Sequence, residues 1–253
     1  FTNFTSLSGT KGKFSYYTFF NFKQGDGFRP NSEFNSKNFF VNLNYQFTAK
    51  TSLHFDYTHF NYLAKQAGGL TDFMFYENPN QSNRTRNWFA VNWNLFALRL
   101  KHKVSENADF SLQLFGLDAS RKALGYRSNR VSNPDTPGTV RDLIIGDFVN
   151  WGAEARFLQK HNFLGTNNAF LIGAKYYQAK NTGLQGPGSS GNDADFSLAT
   201  DDYPLYASQS NYEYPNLNLS LFGENIFRVS TKFSITPGFR YEKIRTQAQG
   251  TYR

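Results

Sequence analysis

The most persistent signal along the chain is alternation of apolar and polar positions with a period of two, the repeat of an extended strand. Phe39, Val41, Leu43, Tyr45 and Phe47 alternate with Asn42, Asn44 and Gln46. Past a short polar turn, Leu53, Phe55 and Tyr57 alternate with His54, Asp56 and Thr58. The pattern returns in Phe110, Leu112 and Leu114, in Trp151, Ala153, Ala155 and Phe157, and in Leu217, Leu219 and Leu221. Phe233, Ile235, Pro237, Phe239 and Tyr241 close the series. Helical periodicity is essentially missing, so the expected class is all-β. Between Trp88 and Lys101 the phase changes, as Phe89, Val91, Trp93 and Leu95 hand over to Phe96, Leu98 and Leu100. A β-bulge near Leu95–Phe96 is the expected device.

The connections alternate in length too. Short ones fall at 9–12, 48–51, 103–107, 160–166 and 230–232, and long ones at about 25–36, 63–86, 122–147 and 181–212. Tight turns on one side and long loops on the other describe an antiparallel transmembrane β-barrel, with short periplasmic turns and long extracellular loops. The spacing predicts about ten strands of roughly ten residues, enough for a tilted strand to cross a bilayer. Rings gather near strand ends (Tyr16, Tyr17, Phe19, Phe20; Tyr57, Phe60, Tyr62; Tyr176, Tyr177), as interfacial girdles do. On this topology both the first and the last strand have their free ends outside, and 250–253 reads as loop. Residues 1–253 are therefore expected to form an internal part of one larger barrel domain.

Composition agrees. Aromatics make up 18% of the 253 residues, yet only 39% of the chain is hydrophobic, and mean hydropathy is -0.58. So many rings argue against disorder, and no apolar run approaches the roughly 18 residues of a transmembrane helix. The absence of Cys excludes disulfides, thiolate metal sites and a Cys nucleophile. A formal charge of +8 favours anionic partners. Arg84 and Arg86 end the second long loop, and Arg121, Lys122, Arg127, Arg130 and Arg141 lie in or beside the third. Guanidinium groups so clustered suit a carboxylate-rich ligand. The fourth loop is acidic, with Asp193, Asp195, Asp201, Asp202 and Glu213, and its spacing matches no EF-hand. Nucleic acid is ranked last, because the basic residues sit in long loops with acidic neighbours.

Asn42, Asn44, His54, Asp56, Glu154, Arg156, Arg240 and Glu242 fall on the polar side of their strands and are expected to face a wet lumen, the apolar side facing outer-membrane lipid. The four histidines, His54, His59, His102 and His161, form no metal pair at useful spacing, and no cofactor is expected. His54 and Asp56 share a strand face, the seed of an acid–base pair in a barrel hydrolase. A soluble sugar-binding sandwich is the other rival.

Several stretches carry a family resemblance: Gly68-Gly-Leu-Thr-Asp72, Asn80-Gln-Ser-Asn-Arg84, Asn87-Trp-Phe89, Phe115-Gly-Leu117, Ala123-Leu-Gly-Tyr126, Gly152-Ala-Glu-Ala-Arg156, Gly223-Glu-Asn-Ile-Phe227 and Thr236-Pro-Gly-Phe-Arg-Tyr-Glu242. In these the chain resembles the barrel of TonB-dependent outer-membrane receptors of the ferric dicitrate type, best from about residue 50 onward. The resemblance implies an active transporter of a Gram-negative outer membrane, not an enzyme. It implies ferric citrate or a similar anionic iron chelate as ligand, and a plug domain and the TonB complex as partners. It also implies that loop residues hold the citrate carboxylates, with Arg84 and Arg121 first, then Arg86, Arg127 and Gln81. The family's plug and TonB box are not in this sequence.

Overall fold

The computed structural model describes residues 1–128, 130–163 and 165–253. Nine long strands follow one another in sequence order, each antiparallel to the last: β1 (Thr2–Lys11), β2 (Phe14–Gly25), β3 (Phe34–Thr48), β4 (Thr51–Lys65), β5 (Trp88–Ser105), β6 (Ala108–Gly125), β7 (Arg141–Phe163), β8 (Thr166–Gly188) and β9 (Ser210–Arg228). Three shorter pieces, β10 (Ser234–Ile235), β11 (Gly238–Thr246) and β12 (Gln249–Tyr252), all pair with β9. They keep a single register, with Ser234 opposite Arg228, Gly238 opposite Glu224 and Gln249 opposite Glu213. They therefore form one interrupted tenth strand. Pro237 has no N–H to give the ladder at the first gap. At the second, Gln247 lies beside Pro215 and donates to its carbonyl at 3.1 Å, with no return bond possible. The stretch 250–253, expected as loop, is drawn into the sheet by this pairing through Tyr252.

β1 pairs only with β2, and the tenth strand only with β9, so the sheet is open at both edges. All the tight turns lie at one end and all the long connections, 26–33, 66–87, 126–140 and 189–209, at the other. All the long strands but β1 exceed the expected ten residues: β7 and β8 have 23 each, and they take up much of the sequence expected as loop. The one helix among the described residues, α1 (Asp72–Glu77), lies in the second long connection, and Thr71 Oγ1 accepts from the Met74 N–H at 3.2 Å to cap it.

Register assigns the faces. Asn44 lies opposite His54 and Asn42 opposite Asp56, while Gln113 lies between Arg99 and Glu154. Glu154 in turn meets Lys175, which meets Ser220, which meets Glu242. All eight residues expected to line the lumen therefore share one polar face. The other face carries an apolar band: Leu43, Phe55, Leu98, Leu114 and Ala153 follow one another across neighbouring strands. This band remains uncovered; Leu114 is 41% exposed, Trp151 50% and Leu219 41%. An apolar surface of this extent requires an apolar medium against it.

Two expectations need correction. β5 has no bulge at Leu95–Phe96; its register runs unbroken there against both β4 and β6. The phase changes because the environment does. Phe96, Leu98 and Leu100 belong to the apolar band, but towards the loops the same face carries Asn94 and Asn92, and the rings of Phe89 and Trp93 turn to the other side. The bulges fall beside the tight turns, at Gln46/Thr48 and Lys103/Ser105. The rings expected as girdles are also divided. Tyr16, Phe20, Tyr57 and Tyr176 share the apolar face, whereas Tyr17, Phe19, Phe60, Tyr62 and Tyr177 line the polar one. Phe19 stacks on Phe40 at 5.5 Å and Phe60 packs on Trp93 at 5.7 Å, so aromatic pairs reinforce the polar face at the level where its side chains turn apolar.

Candidate functional site

The long connections form a packed cap at one end of the sheet, and arginines hold it together. Arg86 leaves the second connection and is 1% exposed. Its Nη2 and Nε meet the two carboxylate oxygens of Asp135 at 2.6 and 3.1 Å. Its Nη1 donates to the carbonyls of Thr139 at 2.9 Å and Ser190 at 3.0 Å, joining the third and fourth connections to the second. Arg141, the first residue of β7, is wholly buried beside it. It donates to the Arg86 carbonyl at 3.0 Å, the Ser189 carbonyl at 2.9 Å and the Asp193 carbonyl at 2.7 Å. Burial, and then the neighbouring Arg86 cation, pull the Arg141 guanidinium below its usual range. Three of its N–H groups go to carbonyls and one to the Ser189 hydroxyl, with Nη2 also 3.6 Å from the Asp193 carboxylate, the condition under which a buried guanidinium is tolerated.

Arg84 is likewise buried and donates to the Asn83 and Asn133 carbonyls at 2.7 and 2.9 Å, with its guanidinium carbon 5.1 Å from the Tyr126 ring. Gln81 donates to the Met74 carbonyl at the end of the first turn of α1, at 2.5 Å. Arg127 reaches Asp142 at 2.5 Å. The Asp142 carboxylate also accepts from Gln185 at 3.1 Å and from the Tyr206 hydroxyl at 3.1 Å, so it pins the fourth connection to β7 and β8. Burial, with the Asp142 charge and hydrogen bond, pushes the Tyr206 phenol up to about 12. A hydrogen bond from the Ser197 hydroxyl holds Asp195 below the usual carboxylate range.

Arg121 differs from these four. It lies in β6, between Val91 and Gly146, on the polar face just below the cap. It is exposed, and its side chain makes no ion pair among the described residues. Gly146 and, beyond it, Gly183 present no side chain in its lateral path. The rings of Phe148 and Tyr214 lie over these two glycines, 3.1 and 3.2 Å from where a Cβ would stand. The result is a shallow shelf of ring and backbone next to one free guanidinium. Of the five residues expected to hold ligand, the geometry thus leaves Arg121 fully presented and Arg127 partly so. Arg84, Arg86 and Gln81 are engaged within the cap.

The polar face lower down is internally paired. Asn42 donates to Asp56 at 2.6 Å, Arg240 to Glu242 at 2.7 Å and Arg99 to Gln113 at 2.9 Å; Arg156 is joined to Glu154. Ser52 Oγ stands 3.1 Å from His54 Nε2, a contact the sequence pattern did not single out. The Asp56 carboxylate, however, serves Asn42, so no carboxylate orients the imidazole, and Ser52 is only 9% exposed. A nucleophile in that state lacks both the third member and the access that hydrolysis requires.

Charge is distributed differently from the expectation of basic loops. Within four residues of the tight turns lie seven Lys or Arg, against only Glu106 and Asp109. Most of the net +8 therefore belongs to the short-turn end.

No protein-family model matches the sequence, and no curated protein matches it. Solved structures do share its fold. The unliganded ferric citrate transporter FecA superposes with a TM-score of 0.81 at 16% identity, over 98% of this chain and 35% of that one. FpvA of P. aeruginosa, solved bound to heterologous pyoverdines, gives 0.74 at 12% identity, over 100% and 36%. The ferric yersiniabactin uptake receptor FyuA of Yersinia pestis gives 0.69 at 10%, over 100% and 40%. The chain thus spans little more than a third of the length of these structures, and at such identities the likeness shows the fold.

Proposed function

We propose that this chain is part of the barrel wall of a TonB-dependent outer-membrane receptor that imports an anionic iron chelate, with ferric dicitrate as the leading ligand. The observation that carries the reading is the two-faced sheet. An uncovered apolar band, about four alternate residues tall, crosses one face of strand after strand as a lipid-facing zone does, while the opposite face is hydrogen-bonded and charged. The fold shared with a ferric citrate transporter and with siderophore receptors supports the same reading. Arg121 and the shelf beside it offer a carboxylate-bearing chelate a guanidinium, backbone and two rings, at the end of the face where ligand would enter. The wall itself performs no bond chemistry. Binding below the cap would be followed by loop closure and by movement of a plug domain driven through TonB.

Calorimetric titration of the full-length receptor with ferric citrate, and in parallel with two uncharged ferric trihydroxamate chelates, tests this. Saturable binding of ferric citrate with weak or no binding of the others is expected. Tight binding of an uncharged chelate alone would sink the ligand, and recovery of the receptor from buffer without detergent would sink the membrane assignment.

A further inference from the structure

A second group of cations lies at the opposite end of the polar face. Between the β5–β6 turn, the β7–β8 turn and the end of β9 there is a recess of about 400 Å³. Lys160 and Arg228 supply charge, and Asn107, Asn162 and Asn167 supply amides. No carboxylate is among the described lining residues. The back of the recess is fixed by Asn168, which is 4% exposed. Its side-chain oxygen accepts the Arg228 backbone N–H at 2.7 Å, and its amide donates to the Thr166 carbonyl at 2.8 Å. This clamp holds the end of β9 against β8 and sets where Arg228 begins. The Lys160 and Arg228 side chains are exposed and form no ion pair among the described residues. Glu106, on the adjoining turn, is already joined to Lys103 at 2.7 Å. A neighbouring recess of about 520 Å³ continues the same character, with Lys50, Lys101, Lys103 and Arg156 against Asp109 alone.

We infer that the Lys160–Arg228 recess is a second anion site, on the exit side, that takes a carboxylate-bearing anion as it leaves the polar face. This rests on the import reading above. The two ends of the face are built for different tasks. At the cap, most arginines are locked into carbonyls and carboxylates, and Arg121 stands free on the polar face just below them. At the short-turn end Lys160 and Arg228 are exposed and unpaired among the described residues, and amides line the space between them. A conducted ion needs a site favourable enough to enter and weak enough to leave, and solvent-exposed Lys and Arg at high effective dielectric provide that. The volume accommodates a molecule of citrate size.

The test uses the full-length receptor with Asn162→Cys carrying an environment-sensitive fluorophore; residues 1–253 hold no Cys to compete for the label, and any Cys elsewhere in the receptor is replaced by Ser. Free citrate is the probe, glycerol the uncharged control, and heat-modifiable migration on gels confirms that each variant is folded. Citrate should change the emission saturably, and Lys160→Gln with Arg228→Gln should weaken that response at least fivefold, whereas glycerol should produce none. A response that is not saturable, or that survives loss of both cations, overturns the site. Ferric citrate binding at the cap, followed by calorimetry on unlabelled receptor, should be unchanged by the two substitutions. If calorimetry shows no binding while the label still responds to citrate, the import reading fails and the anion site stands.

Discussion

Arg86 and Asp135, 49 positions apart in the sequence, face each other in a two-pronged contact, 2.6 and 3.1 Å, with side chains 1% and 5% exposed. The pair closes the cap, because the same guanidinium also holds carbonyls of the third and fourth connections. Removing one partner leaves the other charge buried, a loss on the order of 3–5 kcal/mol. Arg86→Ala is therefore expected to free residues 130–140 and 189–199, read as faster amide exchange there with the strands unchanged. Arg86→Lys should not restore protection, since an ammonium cannot match the fork. Equal exchange in wild type and Arg86→Ala would show that the cap is held by other contacts.

Tyr206 gives the cap a pH limit. Its phenol is raised to about 12, so folding favours the protonated form. The stabilisation is complete below the ordinary value near 10 and is lost as pH rises through the folded value. Phenolate absorbance should show one tyrosine titrating well above the rest, and the fourth connection should become protease-sensitive between roughly pH 10 and 12. Tyr206→Phe is expected to remove the late-titrating signal and the change in sensitivity together.

Depth along β5 is testable by moving one charge. Leu98→Arg places a cation in the apolar band and should cost about 2–4 kcal/mol, whereas Asn94→Arg, on the same face towards the loops, should cost about 0–1. Urea unfolding of the receptor in lipid vesicles measures both. Equal penalties would mean that the band does not end between these two positions.

Arg121 carries the ligand expectation. A lost charge-assisted hydrogen bond costs roughly 1.5–3 kcal/mol, so Arg121→Ala should weaken ferric citrate about tenfold or more, while Arg121→Lys keeps part of the affinity. Arg84→Ala, by contrast, should act through the cap, lowering its stability before it lowers affinity. Unchanged affinity in Arg121→Ala places the ligand elsewhere on the cap.

Much of the fold was legible because strand alternation is local. The residues that alternate in the sequence share faces in the register, from Asn42 and Asp56 to Arg240 and Glu242. The connections were legible from the same pattern, although not their true lengths, since strands that continue into water lose their apolar alternation. That loss explains the misplaced bulge at Leu95–Phe96, where one strand passes from one medium to another. The site was less legible. Nothing near Arg84 or Arg86 in sequence marks them as buried: Asn133 and Asp135, which engage them, lie 49 positions on. Arg121 looked like its neighbours because freedom from partners is a property of three strands together. The basic short-turn end could have been found by counting charges turn by turn.

β7 and β8 stand far taller than a bilayer requires. From Trp151, at the upper limit of the apolar band, to Arg141 is ten residues, or about 25 Å of height at 3.3 Å per residue and a tilt near 40°. Screening at physiological salt has a reach of about 8 Å. On the barrel reading, headgroups would fill about 5–7 Å of that height, which leaves the cap roughly two screening lengths above them. On the import reading, an anion arriving there would respond chiefly to the charges of the cap, with the negative membrane surface below largely screened from it.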